Sequence, residues 1–444
     1  MALTASSTAV AADDHVAPAR TPLTGTEASD TASPATLERG TFTGNDSCSP
    51  LPAEARAQAH GAVTACVSIG KAPGKVGTAR TEVHAPLAAV GSGADDPATD
   101  DPGTDPQFEP DADDPEPPAP SCMLANPGQW TWSRTGGLCL NRAEITYTLY
   151  DEYAKPAGTG LIQVSSTLAT SYESLDLNET ITARLVRVTG LVKSLEVKME
   201  VNCGAGCTTK TRQPWFGAPD LMPGQEKTGR TKYSADAFAA NTTRSSFQTS
   251  YKMYVLMPGA EPLDPNASWS SPAQGKIRCD KEQPRLRGCV IPTNDVPVLS
   301  YSKSYEKYEI VVPIYEEIMK RRGTDILHAV DQTTANANRA ATCRPFTKLF
   351  PGQRGADSCD EFPPASTREG GQNGSLCAEL TPQIVNGVWS APATWPQRPD
   401  SGTETCLRLH IPQRANSSAG GVLGSLRKFQ RLVNDDPFRI EFTP

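Results

Sequence analysis

The sequence predicts an α+β chain in three parts: a disordered N-terminal region, an antiparallel β-sandwich-like middle domain and a small C-terminal α+β domain. Three observations predict it. Hydrophobic residues make up only 37% of 444, and mean hydropathy is −0.42, low for a chain packed throughout. Apolar residues in the middle of the chain alternate with period two. In the last third, alternating runs are interleaved with stretches of helical period.

Residues 1–92 are rich in Ala, Thr, Ser and Gly and poor in aromatics. They read as low-complexity and mostly disordered, with a short helix at Pro52–Ala65 clipped by a Cys48–Cys66 bridge. Residues 93–121 are an acidic Pro/Asp-rich linker. The stretch Gly93–Pro120 holds ten Asp/Glu, eight prolines and no Lys or Arg, so it is stiff and self-repelling. The whole chain carries −8 and this stretch −10, which leaves +2 for the rest. The acidity belongs to the linker, and the remaining balance permits a polyanionic partner.

The first residues, "MALTASSTAVAADD", show neither a basic n-region nor an apolar h-region, as expected if a leader was removed or the start lies upstream. No run approaches the roughly 18 apolar residues of a membrane helix. The 12 cysteines fall in sequence as six close couples, and none of the five histidines sits at zinc-finger spacing. Disulfides are favoured over metal ligation, and with them a secreted, extracellular protein. The "CGAGC" at Cys203–Cys207 is too widely spaced for a CxxC redox motif and reads as a short-loop staple.

From 122 to 290 the chain reads as a β-sandwich-like accessory domain. "AEITYTLY" alternates Ile145, Tyr147 and Leu149 with polar residues, and "LEVKMEV" alternates Leu195, Val197, Met199 and Val201 with charges. "FQTSYKMYVLM" puts Phe247, Thr249, Tyr251, Met253, Val255 and Met257 on one face. Strand-like runs also lie at Gly160–Ser166 and Ile181–Leu191. No catalytic constellation stands out, so a scaffold or a binding module, such as one touching cell-wall polysaccharide, is expected. Trp130, Trp132 and Trp215 belong either to the core or to a glycan-facing surface.

Residues 291–444 form the last domain. Pro313 suits the first turn of a helix whose apolar face is Ile314, Tyr315, Ile318 and Met319. A second helix is expected at Asp325–Ala341. "CLRLHI", Cys406–Ile411, alternates as a strand. A cap at Asn416 or Ser417 then starts a helix carrying Val422, Leu423, Leu426, Phe429 and Leu432, and "PFRIEF" closes as a strand.

Between them lies "SCDEFPPASTREGG", Ser358–Gly371, with Asp360, Glu361 and Glu369, two prolines and a glycine pair. Clustered carboxylates in a loop stiffened by proline and cystine suit a hard cation, Mg2+ or Mn2+, with Ca2+ a further candidate. A strand end, a loop and a helix beginning with Asn is also the outline of a ββα-metal site, in which one group activates water and the helix Asn or Asp holds the metal. The plainer reading is an exposed acidic turn followed by a bend. No glycine-rich nucleotide loop is present, and no organic cofactor is expected.

"CDEFPPASTREGG" resembles the signature of the NucA/NucB deoxyribonuclease family. "RCDKEQPRLRGCVIP", "NANRAATC" and "QRANSSAGGVLGSLRKFQRLVNDDPFRIEF" resemble its flanking elements in the same order, over about 278–444. The resemblance implies a ββα-metal endonuclease fold and hydrolysis of DNA without strong sequence preference. It implies Asp360 as general base, Asn416 as metal ligand, and Glu361 and Glu369 in direct or water-mediated metal contact. It implies Arg339 on phosphate, Ser366, Gly370 and Gly371 shaping the loop, and Cys343–Cys359 pinning it. The chain departs from the family pattern at Pro364, where an aromatic is usual. A histidine usual on the helix ahead of the core is missing from "VVPIYEEIMKRRG"; His328 lies further on. A Pro/Trp-rich insertion also separates Cys377 from Cys406. The competing expectations are a non-catalytic surface or cell-wall binding protein with a degenerate nuclease-like end, and a nuclease toxin.

Overall fold

A computed structural model describes residues 37–45, 48, 64–70, 126–151, 153, 155–235, 238, 242–257, 266–283, 285–349, 357–385, 388–390 and 400–444. The acidic linker lies outside these residues, as does the helix expected at 52–65 except for its last two positions, which are strand.

Two sheets face each other in the middle of the molecule, and a small third one of Arg244–Phe247, Ile277–Asp280 and Gly288–Val290 shares their core. In the larger, Glu38–Thr41, Gln129–Ser133, Gly137–Tyr150, Pro156–Ala169, Asp176–Gly190, Glu226–Ser234 and Thr208–Thr209 pair in that order, with Thr64–Ile69 also pairing Gly137–Tyr150. In the smaller, the order is Asp220–Leu221, Leu195–Cys203, Thr249–Leu256, Asn266–Ser270 and Gly44–Asn45. One apolar core lies between them, fed by the expected alternation: Ile145, Tyr147 and Leu149 from one sheet meet Leu195, Val197, Met199, Val201, Met253 and Val255 from the other. Trp130, Trp132 and Trp215 are in this core, so none of them faces a glycan.

Three strands come from the span expected to be mostly disordered. The physical anchor is Glu38, whose carboxylate accepts from Trp132 Nε1 at 2.8 Å and from the Asn294 backbone N–H at 2.6 Å. Short segments inside a Thr/Ala-rich stretch carry little periodicity of their own, and the sheet edge supplies their order.

A second apolar core belongs to the C-terminal unit. Its elements are β1 (Val298–Ser302), α1 (Val312–Arg322), β2 (Ile326–His328), α2 (Gln332–Cys343), β3 (Asp357–Phe362), β4 (Ala378–Leu380), β5 (Leu407–Pro412), α3 (Gln413–Phe429) and β6 (Pro437–Thr443). β6 lies between β1, parallel to it, and β2, antiparallel to it. β5 lies between β3, antiparallel, and β4, parallel.

α1 begins with Pro313 in its first turn and ends on Gly323 at φ 67°, and it buries Ile314, Tyr315, Ile318 and Met319. The helix expected at Asp325–Ala341 is corrected to the strand β2 followed by α2. Asp331 caps α2 by accepting from Thr334 N at 2.7 Å, and the three residues β2 contributes fall inside what reads as one polar-apolar run. α3 starts at Gln413, directly from β5, so Asn416 lies within its first turn rather than capping it.

Cystines pair as sequence neighbours at 48–66, 203–207, 279–289, 343–359 and 377–406. Cys139 is also disulfide-bonded, with its partner outside the described residues. No described helix is long and apolar enough to cross a membrane.

Candidate active site

The site is built on β3. Its register with β5 is unbroken from Asp357↔Pro412 to Phe362↔Leu407, and the alternation of a strand sorts its side chains into two sets. Ser358, Asp360 and Phe362 face α1 and α3. Phe362 stacks on Tyr315 with ring centroids 4.1 Å apart, and Asn416 donates from Nδ2 to Ser358 Oγ at 3.3 Å. Asp357, Cys359 and Glu361 turn the other way, towards α2.

Asp360 is 6% exposed, and its one hydrogen-bond partner among the described residues is the Tyr315 hydroxyl, which donates to Oδ2 at 2.6 Å. Burial pushes its carboxyl up to about 8; the tyrosine hydrogen bond opposes this and the neighbouring Glu361 charge adds to it. No arginine or lysine contributes to holding the charge. Burial and the Asp360 charge together push the Tyr315 hydroxyl well above its ordinary range, so it remains a donor.

Asn416 also donates to the Cys359 carbonyl at 3.0 Å, on the peptide that leads into Asp360. Among the described residues nothing bonds its Oδ1. The structure thus brings Asp360 and Asn416 to one stretch of β3.

Glu361 and Glu369 have separate partners. Glu361 lies 3.4 Å from Arg339 Nε on α2, whose side chain is 36% exposed. Its carboxylate is also within 4.8 Å of Cys343 and Cys359 sulfurs, but both sulfurs are used in the disulfide and offer no thiolate to a metal. Glu369 accepts from the His328 backbone N–H at 2.9 Å, and its other oxygen is 2.8 Å from His328 Nδ1. His328 stands on β2, not on a helix.

The loop after β3 is tied down by α2. Asn338 donates from Nδ2 to the carbonyls of Ala365 and Thr367, both at 2.9 Å. Gly371 sits at φ 74°, and a Cβ there would come within 2.2 Å of Asn338 Oδ1; one on Gly370 would come within 2.4 Å of the Pro364 carbonyl. Both glycines are therefore demanded by the loop. Ser366 gives its carbonyl to Val330 N at 3.1 Å.

Behind β3 is a group that sequence reasoning missed. His410 of β5 has Nδ1 2.9 Å from Asp357 and Nε2 3.0 Å from Glu379, with Phe346 stacked on its ring at 4.4 Å. Arg408 pairs with Glu379 and donates to the Pro345 carbonyl at 3.0 Å. These buried charges fasten the segment after α2 to the back of β3. The available signal was the alternation itself, which puts Arg408 and His410 on one face of a strand enclosed by cystines.

Comparison with known proteins adds three findings. No curated protein matches the chain. A FixG-related protein from Vibrio parahaemolyticus, known from a crystal structure, aligns with 27% of this chain and 97% of its own at 10% identity and a TM-score of 0.17, a likeness that carries no argument about fold or site. Residues 316–388 match the family described as Deoxyribonuclease NucA/NucB, a span that runs from α1 through α2, β3 and the carboxylate loop to β4. It contains Arg339, Asp360, Glu361 and Glu369 and stops short of Asn416. The C-terminal part of the chain is thus similar, over this segment, to the NucA/NucB deoxyribonuclease family.

Proposed function

We propose that the protein is a secreted, metal-dependent endonuclease that hydrolyses DNA phosphodiester bonds, with Asp360 as general base and Asn416 as metal ligand. The observation that carries this reading is the buried Asp360, in the family-matched segment, poised near neutral pH on β3, whose antiparallel partner β5 leads directly into α3, a strand–strand–helix order in space with β4 between β3 and β5 in the chain. That order is the outline of a ββα-metal nuclease. The disulfides 48–66, 203–207, 279–289, 343–359 and 377–406 support an oxidising compartment.

The donor set fits a hard cation. Asp360 is a buried carboxyl with a hydroxyl partner and no cationic one, and Asn416 offers an unengaged amide oxygen nearby. Asn416 would hold a Mg2+ or Mn2+ ion largely through water and few protein oxygens. Glu361 is paired with Arg339 and Glu369 with His328. The bound ion supplies positive charge to the phosphate and to the leaving oxygen.

The chain's own residues do the rest. Tyr315 occupies Oδ2 of Asp360 and leaves Oδ1 for a water proton. A carboxylate raised to about 8 is a stronger base than an ordinary one, so proton transfer to it is easier once it is ionised. Arg339, a partly exposed cation on α2 beside Glu361, binds a phosphate oxygen pair of the DNA.

Supercoiled plasmid and single-stranded DNA, incubated with the oxidised protein and Mg2+, Mn2+ or EDTA, test the proposal. Nicking with either metal and none with EDTA is expected. Folded protein that cuts with no metal present would remove the cation from the account. Absence of cleavage under every condition would move the reading to a non-catalytic binding protein.

A further inference from the structure

The sandwich meets the C-terminal unit through a buried ionic seam. Arg134, in the turn ahead of Gly137–Tyr150, donates Nε to the Gln430 carbonyl at 2.7 Å and Nη2 to Asp436 Oδ2 at 2.9 Å. Arg278 donates Nη1 to the other oxygen of Asp436 at 2.7 Å and Nη2 to the Arg431 carbonyl at 2.6 Å. In the opposite direction Arg431, 0% exposed, pairs with Asp280, also 0% exposed, and donates to the Tyr172 carbonyl at 2.6 Å. The carbonyls of Gln430 and Arg431 lie just past the end of α3, where the helix dipole is negative, so two arginines of the sandwich complete that helix end.

The contacts continue to the carboxylate loop. The Asp436 carbonyl accepts from Ala329 N at 2.9 Å, and Asp435 N donates to the Ala329 carbonyl at 2.9 Å. The residues beside Ala329 hold the loop: Val330 N donates to Ser366 O at 3.1 Å, and Arg368 N donates to His328 O at 2.8 Å. A sheet bridge joins Ala329 to Thr367 itself. One carboxylate, gripped at both oxygens by the sandwich, is thus two residues' worth of hydrogen bonds from Ser366–Glu369.

We propose that Arg134 and Arg278 are positioning residues for this loop. The sandwich holds Asp436, Asp436 holds Ala329, and the strand around Ala329 holds Ser366–Glu369. The sandwich is then a working part of the C-terminal unit and not a module carried beside it. The consequence for catalysis rests on the nuclease reading; the mechanical link does not.

Hydrogen exchange on the whole oxidised chain separates the two. Arg278→Ala and Arg134→Ala should speed exchange at the amides of Ala329, Val330 and Arg368 by at least about tenfold and leave those of Leu195–Cys203 unchanged. Arg278→Lys, which keeps the charge but not the two-pronged grip, should recover part of the protection. In DNA cleavage the alanine variants should lower kcat by about tenfold or more with KM nearly unchanged. Unchanged exchange at Ala329, Val330 and Arg368 would overturn the proposal, as would loosened amides with wild-type kcat. If an arginine variant also opens the sandwich, Asp436→Asn, across the seam, decides by the same readout. If the wild-type chain cuts no DNA, the nuclease reading falls and the exchange result alone decides whether the sandwich holds the loop.

Discussion

Asp360 and Tyr315 form the smallest unit of the candidate site. The folded protein keeps Asp360 protonated up to about pH 8, whereas the unfolded chain releases that proton near pH 4. Folding stability contributed by the neutral carboxyl is present in full at acid pH. It is lost as pH rises from the unfolded value through the folded one. Asp360→Asn carries no charge to bury, so in EDTA it should gain on wild type over that window. Thermal melts at pH 5 and pH 9 should show a Tm difference that widens by several degrees in favour of the variant. An unchanged difference would mean that Asp360 is already ionised in the fold. Tyr315→Phe removes the hydrogen bond that favours the carboxylate. Cleavage should then become half-maximal at a pH higher by about 1–2, following a charged hydrogen bond worth roughly 1.5–3 kcal/mol. A pH–rate profile that does not move would detach Tyr315 from the chemistry.

At the scale of elements, β3 is held on two sides. α1 and α3 pack on Phe362 and Ser358, and α2 reaches it through Cys343–Cys359 and the Asn338 hydrogen bonds to the loop. Gly371→Ala places a methyl group against Asn338 at a positive φ. It should destabilise the unit by about 1–3 kcal/mol, a Tm drop of several degrees, and lower cleavage with it. A melt at the wild-type temperature would show that the loop can move aside. Much of this level is legible in the sequence. Pro313 and Gly323 bracket α1, "CLRLHI" alternates into β5, and cysteines pair with their neighbours. What was not legible had weak local signals. β2 is three residues long, and Asp331 caps α2 from the middle of a polar run. The Asp357–His410–Glu379 group depends on which strands become neighbours, which no single segment states. Of the candidate site residues, Asp360 on β3 and Asn416 on α3 meet along β3, whereas the partners of Glu361 and Glu369 appear only in three dimensions.

For the whole molecule the seam decides whether two cores behave as one. Burial pushes the Asp436 carboxyl up, but the hydrogen bond and charge of Arg278, with the charge of Arg134, hold it below its ordinary value. Its contribution is therefore present above about pH 4 and is lost as pH falls through the folded value. Burial also brings Arg134 down to about 10, against the pull of Asp436. Asp436→Asn leaves two buried arginines without their carboxylate and should cost about 3–5 kcal/mol at pH 7. The gap from wild type should shrink below pH 4, where wild type protonates the same group. A gap independent of pH would show that packing, not charge, holds the seam. Part of this was outside the reach of sequence reasoning. The residues of the seam lie up to 302 positions apart, and no motif links Arg134 to Asp436.

In the proposed function Asp360 activates water in a metal-dependent cut of DNA. The most direct measurement compares wild-type and Asp360→Asn chains, both oxidised and both shown folded by their melts, for plasmid nicking in Mg2+ at pH 8. The account predicts at least a roughly 100-fold slower cut for Asp360→Asn, as expected for loss of a general base. Equal rates for the two proteins would contradict it.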